Sequence, residues 1–195
     1  MGYSEIAQVV ESALTEREIG YSTKSSGGAQ AAHFVLELPG EKKLKTTVLL
    51  TAEQHGLRVE AFVCRRPDED FEEVYKYLLK RNRRIYGVAY TLDNVGDIYL
   101  VGRISADAVT GDEIDRLLGQ VLEAADSDFN ILLEIGFHTS IQREWAWRVS
   151  RGEPLHNLRA FEHIIDKDAL PDPGEPLPGE ATRPSVADLG APGDF

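Results

Sequence analysis

One cysteine, one methionine and two tryptophans are all that this 195-residue chain holds of three residue types. The lone Cys64 excludes an intramolecular disulfide framework and any zinc site needing two thiolates, and it fits a reducing compartment. Positive charge is also short. Against 33 Asp plus Glu stand 21 Lys plus Arg, a formal net charge of -12, which repels a phosphate backbone unless a basic patch is segregated. Nucleic acid is therefore not expected as a partner. No apolar run approaches the roughly 18 residues of a membrane span, and the opening MGYSEIAQVV carries acid where a signal peptide carries base. The expectation is a soluble, cytoplasmic protein with no membrane partner.

The signatures of common chemistry are missing as well. There is no GxGxxG and no GxxxxGK[ST] to cradle phosphate, and no GxSxG elbow. His33, His55, His138, His156 and His163 never form HxxxH or HxH, so no metal site is expected. Cys64 sits beside Val63 in an alternating segment and reads as a small packing residue. Asp68, Glu69 and Asp70 read as the negative charge favoured at a helix N-terminus. No catalytic residue, metal ligand or cofactor is assigned.

What is present is a core-forming body and a different tail. Leu170 to Phe195 holds six of the nine prolines, four glycines and five acidic residues against one arginine. Its apolar residues are too sparse to offset an ordering cost of about 1 to 2 kcal/mol per residue. Residues 1–169 are thus expected to form a single domain and 170–195 a solvated, disordered acidic tail. Within the tail, Pro173 to Pro178 has PxxP spacing but no flanking basic anchor.

In the body, Ser4 followed by Ile6, Val9, Val10, Ala13 and Leu14 spells an amphipathic helix with a serine cap. Ala32 to Leu38, Leu44 to Ala52 and Leu57 to Arg65 alternate as half-buried strands joined by short Gly-containing turns. Tyr21 to Ser25 can add a strand before a flexible Ser26-Gly27-Gly28 loop. Period 3.6 returns over Asp70 to Arg84, with Phe71, Val74, Tyr75, Leu78 and Leu79 facing inward and Glu72 paired with Lys76. Two strands follow, Tyr86 to Leu92 and Asp97 to Ile104. A long helix opens at Thr110 with Glu113 completing a capping box, and a last one at Thr139 with Gln142 completing another. The order α-β-β-β-α-β-β-α-α predicts an α+β fold, an antiparallel sheet of about five strands flanked by helices.

Two clusters stand out. Lys80, Arg81, Arg83 and Arg84 close a helix, where they complement its dipole and can also hold an anion or an acidic partner. On the last helix, Ile141, Trp145 and Val149 share one face. Trp147 points roughly 160° away from the centre of that face and must meet a second layer, another subunit or solvent. With Arg143, Arg148 and Arg151 around it, Trp147 has the composition of an interaction hot spot.

Three segments carry a resemblance: Tyr77 to Val88 (YLLKRNRRIYGV), Gly96 to Arg103 (GDIYLVGR) and Arg143 to Arg148 (REWAWR). Over about residues 4 to 165 the chain resembles the YbjN-like family, particularly its actinobacterial members. The resemblance implies a bacterial protein loosely described as a sensory transduction regulator. It also implies a fold like that of type III secretion chaperones, often dimeric, and it brings no catalytic residues to transfer.

The sequence thus points to a non-enzymatic regulatory or chaperone-like module that binds an unidentified protein partner, with a homodimer as the smallest assembly. Arg143, Trp147, Arg148 and Arg151 are the expected interface. The alternative is a sensor or enzyme for a small anionic ligand, held by Arg81, Arg83 and Arg84 with the sheet residues Tyr86, Tyr90, Tyr99 and Arg103.

Overall fold

The computed structural model describes residues 2–25 and 31–172. The loop expected at Ser26-Gly27-Gly28, the Pro173 to Pro178 run and nearly all of the expected tail lie outside the described residues. Helix α1 (Tyr3–Glu16) leads into β1 (Tyr21–Ser25), β2 (Ala32–Pro39), β3 (Lys45–Glu53) and β4 (Gly56–Cys64). Then come α2 (Phe71–Asn82), β5 (Val88–Leu92), β6 (Ile98–Ser105), α3 (Gly111–Ser127), α4 (Phe129–Gly136) and α5 (His138–Arg151). A 3-10 helix, His156–Ile164, follows α5.

Short links join the strands from β1 to β4 and β5 to β6, the connection through α2 carries the chain past β6 to the edge strand β5, and the strands pair antiparallel throughout in the order β1-β2-β3-β4-β6-β5. The class is α+β, as the grouping of strands requires. The sheet has six strands because Tyr21 to Ser25 does pair with β2, where the Tyr21 and Phe34 rings meet edge to face at 5.7 Å.

Alternation then sorts the sheet. Phe34, Leu36, Val48, Leu50, Val59 and Leu100 are buried on one face, while Glu37, Thr47 and Arg103 stay exposed. The buried face meets Ile6, Val10 and Leu14 of α1 and Ile114, Leu117 and Val121 of α3. Each such side chain contributes about 1.5–3 kcal/mol by leaving water. Gly102 lets β6 approach the turn before β5. A Cβ there would run into the Gly87 carbonyl oxygen and lie 2.8 Å from Val88 Cγ1.

Local caps differ from expectation where tertiary partners compete for the same groups. Helix α1 starts two residues early, with Gly2 at its N-cap donating its N–H to Glu5 Oε2 at 2.9 Å, so Ser4 is not the cap. At α3, Thr110 Oγ1 accepts from the Glu113 N–H at 3.2 Å, but the Glu113 carboxylate turns away to accept from the Tyr86 hydroxyl at 2.6 Å. Leu79 is exposed because α2 buries only Val74 and Leu78 fully. Val149 is likewise exposed, so only Ile141 and Trp145 of its expected face reach the interior.

Candidate functional site

Strand β4 breaks its own alternation at its end. Phe62 pairs with Tyr99 and Cys64 with Ile98, which leaves Val63 as an extra residue, a β-bulge. A bulge re-aims the side chains around it. As a result Phe62, Val63 and Cys64 all line one open groove of about 920 Å3. Cys64, placed on the polar face by simple alternation, is buried instead. Phe62 stacks edge to face on Tyr99, with ring centroids 5.4 Å apart.

The opposite wall is helical. Phe129 and Leu133 come from α4, Leu158 from the 3-10 helix, and Phe137, Ile141, Arg143, Trp147 and Arg148 from the start of α5 onward. The groove needs α5 held against the end of β4, and the segment 65–69 does this. Glu69 accepts from the Thr139 N–H at 2.6 Å and from Thr139 Oγ1 at 2.9 Å, while Asp68 accepts from Ser140 Oγ at 2.7 Å. Two carboxylates thus sit at the positive end of α5, not only at that of α2 as their sequence position suggested. They replace the capping box expected of Thr139 and Gln142. Arg65 donates Nη2 to Asp68 Oδ2 at 2.6 Å and lies 4.3 Å from the Phe137 ring centroid, stitching the strand end to the helix.

Lys43 reaches in from the β2–β3 loop. Asp126, at the end of α3, accepts from the N–H groups of Lys42 and Lys43 at 2.8 and 3.0 Å and so fixes that loop. The Lys43 ammonium donates to the Phe62 carbonyl and lies 5.3 and 5.9 Å from the ring centroids of Phe62 and Phe129. Burial lowers its pKa below the usual lysine value. Burial also pushes the Cys64 thiol up to about 12, against the pull of Lys43, so at neutral pH it is a protonated packing group.

The groove is locally cationic in an acidic molecule. Its lining carries Lys43, Arg65, Arg143 and Arg148 against Glu144 alone. Arg65 is bound to Asp68, and Arg148 Nε donates to Glu144 at 2.7 Å. Lys43 and Arg143 have no ion pair among the described residues, and Arg143 Nε is buried with no hydrogen-bond partner. An apolar floor with two uncompensated cations suits a ligand that offers carboxylates beside apolar groups.

The structure brings together three of the four residues expected at the interface, since Arg143, Trp147 and Arg148 line this groove. Trp147 is half-buried there, not fully outward, and Arg151 stacks at 4.8 Å from its ring centroid beyond the groove lining.

The second expected cluster is dispersed. Arg81 donates Nε to Asp128 Oδ2 at 2.7 Å, and Asp128 also accepts from the hydroxyls of Tyr77 at 2.6 Å and Tyr90 at 2.7 Å. Asp128 is only 3% exposed, so Arg81 is the countercharge of a buried carboxylate and does not join an anion patch. Lys80, Arg83 and Arg84 are exposed around the end of α2. Tyr90 is buried, Tyr86 is tied to Glu113, and Tyr99 packs on Phe62, so the alternative anion site does not assemble.

Lys43, Phe62, Phe129 and Phe137 escaped sequence reasoning. One signal was available. Phe62 occupies a strand position whose register mates, Arg58 and Glu60, are charged. Among the described residues no group of His, Cys, Asp and Glu could hold a metal ion, and no helix is long and apolar enough to cross a membrane.

Comparison with known proteins agrees with the earlier resemblance. Residues 7–134 match the YbjN family, described as "Putative bacterial sensory transduction regulator". The uncharacterized protein Rv0487 of Mycobacterium tuberculosis is 58% identical over 159 residues, 82% of this chain and 87% of that one. ML2442 of Mycobacterium leprae is 59% identical over 160 residues, with the same coverage of 82% and 87%. Among solved structures, the chain is similar to a chain of the heterodimeric ExoU-SpcU complex from the type III secretion system of Pseudomonas aeruginosa. That match has a TM-score of 0.43 and 21% identity, covering 51% of this chain and 83% of that one. A chain of the ExsC-ExsE complex matches with a TM-score of 0.38 and 25% identity, covering 50% and 75%. On the extent of the family match and of the mycobacterial relatives, this chain belongs to the YbjN family.

Proposed function

We infer that this protein is a non-enzymatic, regulatory or chaperone-like binding module, and that the β4–α4–α5 groove holds a segment of a partner protein carrying carboxylates beside apolar side chains. One observation carries the reading: an aromatic groove with Lys43 and Arg143 uncompensated, in a chain of net charge -12. Apolar rings supply contact area, and the two cations select the sign of the partner. Family membership supports the regulatory part, and the floor of the groove, Phe62 to Arg65 with Phe129 and Leu133, falls inside the matched residues 7–134. Helix α5, which bears Arg143 and Trp147, follows that range.

The test is the affinity of the full chain for fluorescent peptides of equal apolar content and opposite charge. Acidic peptides are expected to bind, and Trp147→Ala, removing a hot-spot ring worth about 2 kcal/mol, weakens them about 30-fold. Equal affinity for acidic and basic peptides, or indifference to Trp147→Ala, overturns the reading. The homodimer is the smallest assembly compatible with it. Light scattering decides it, and a monomer at all concentrations leaves the hetero-partner alone.

A further inference from the structure

The face of the sheet turned away from α1 and α3 carries an arrangement of charge that folding alone does not call for. Resting on the reading above, we propose that this face is a second contact surface for the same acidic partner segment, which leaves the groove over Phe62 and ends on a cationic row at Arg58 and Arg103.

Register builds the row. Residues directly opposite on antiparallel strands point to the same side of a sheet. Lys24 of β1 faces His33 of β2, His33 faces Thr51 of β3, Thr51 faces Arg58 of β4, and Arg58 faces Arg103 of β6. At a strand spacing of about 4.8 Å this line is about 19 Å long, and it holds Lys24, Arg58 and Arg103 but no carboxylate. Like charges directly opposite one another destabilise a sheet. Glu60 relieves Arg58 alone, accepting from its Nη2 at 2.7 Å. Arg58 Nε is still buried without a hydrogen-bond partner, while Lys24 and Arg103 are exposed with no ion pair among the described residues. Glu53 shares this face beside the β3–β4 turn and forms no ion pair with the row.

The neighbouring rows indicate what this one serves. Two residues along each strand, Val35, Leu49, Glu60 and Val101 stand side by side, and two further along Phe62 pairs with Tyr99. Val35, Leu49 and Val101 are only half-buried. From the groove outward the surface therefore runs aromatic, apolar, cationic between Phe62 and Arg58, about 13 Å of strand. That order fits a segment whose apolar residues precede its carboxylates. Phe62 lines the groove and is 37% exposed, so it joins the two surfaces. Lys80, Arg83 and Arg84 also offer exposed positive charge, but they stand at the end of α2, where the helix dipole accounts for them. A sheet has only a small net dipole, so the row has no such local cause.

The probe is a fluorescein-labelled random copolymer of glutamate and tyrosine, which offers carboxylates beside rings, with an oligouridylate of about 20 nucleotides for comparison. The full chain is measured beside Arg103→Glu, the groove variant Arg143→Gln, and Lys80→Gln/Arg83→Gln/Arg84→Gln at the end of α2. Arg103→Glu is expected to weaken the copolymer at least about 10-fold. It is also expected to leave the urea midpoint unchanged or raised, since a repulsive cross-strand pair becomes an attractive one. Arg143→Gln is expected to weaken the copolymer too, whereas the α2 variant, which removes more positive charge, stays within about 2-fold. Binding indifferent to Arg103→Glu, or lost equally in the α2 variant, overturns the proposal, as does lost binding with a lowered urea midpoint. Oligouridylate bound as tightly as the copolymer and released by Arg103→Glu overturns it in favour of nucleic acid, and a dimer that Arg103→Glu dissociates overturns it in favour of a second copy. If Arg143→Gln weakens the copolymer and Arg103→Glu does not, the sheet face fails while the groove stands. If only Arg103→Glu weakens it, the continuation from the groove fails. If the full chain does not bind the copolymer, both readings fail.

Discussion

Asp128 and Phe129 are neighbours in sequence, yet they face two regions built from the same materials and finished to different degrees. Around Asp128, an arginine and two tyrosine hydroxyls close on one buried carboxylate, and each polar group there has a partner. Around Phe129, aromatic rings and cations line an open groove in which Lys43 and Arg143 have no opposing charge among the described residues. The difference teaches where stability ends and recognition begins. A saturated cluster ties α2, β5 and the α3–α4 junction together and has nothing left to offer a ligand. An unsaturated one costs some stability and keeps bonding capacity for something else.

The sharpest way to break this comparison is Asp128→Ala. It strands the Arg81 charge and two hydroxyls, so unfolding in urea is expected to show a loss of about 3–5 kcal/mol. A loss under about 1 kcal/mol would show that the cluster is not the structural one. Next comes Trp147→Ala with Arg143→Gln, for which the expected change in stability stays below about 1.5 kcal/mol while acidic-peptide affinity falls about 30-fold or more. A large stability loss with binding intact would reverse the assignment of the two regions.

Alkaline titration separates the regions by pH. Burial first, then Asp128, pushes the Tyr90 and Tyr77 hydroxyls well above the ordinary tyrosine value of 10.0. Their contribution is complete below about pH 10 and is lost as pH rises beyond it, because the unfolded chain releases those protons first. Cys64 acts earlier, since its thiol titrates from 9.0 in the unfolded chain to about 12 in the fold. Stability is therefore expected to decline from about pH 9. Cys64→Ala is expected to delay that onset to about pH 10 and leave the later limb, read from urea midpoints across the range. No change in onset would remove the thiol from the account. The smallest effect is expected of Arg83→Gln and Arg84→Gln, exposed at the end of α2. Each should shift stability by no more than about 0.5 kcal/mol and leave peptide binding intact.

Much of the architecture was legible in particular residues. Alternation of Leu57, Val59 and Ala61 marked β4, and the Val74 and Leu78 spacing marked α2, because these periods are set by the backbone itself. The Glu72–Lys76 pair forms at 2.7 Å for the same local reason. Trp147, Arg143 and Arg148 could be singled out because a helix's angular spacing is known before anything packs on it. The other wall was hidden. Nothing near Val63 announces a bulge, and Lys43 belongs to the site only because Asp126, 83 positions later, holds its loop. Arg81 looked equivalent to Arg83 and Arg84 in a basic run, and only a carboxylate at position 128 tells them apart.

By itself the sequence determined the class of fold, the alternation that buries one sheet face, and a net charge that disfavours nucleic acid, since each follows from composition or from a period of two or 3.6 residues. Only the tertiary structure decided which charges are neutralised and which are left facing a groove. That outcome depends on distances between residues far apart in the chain, and a one-residue bulge in β4 is enough to change which side chains meet.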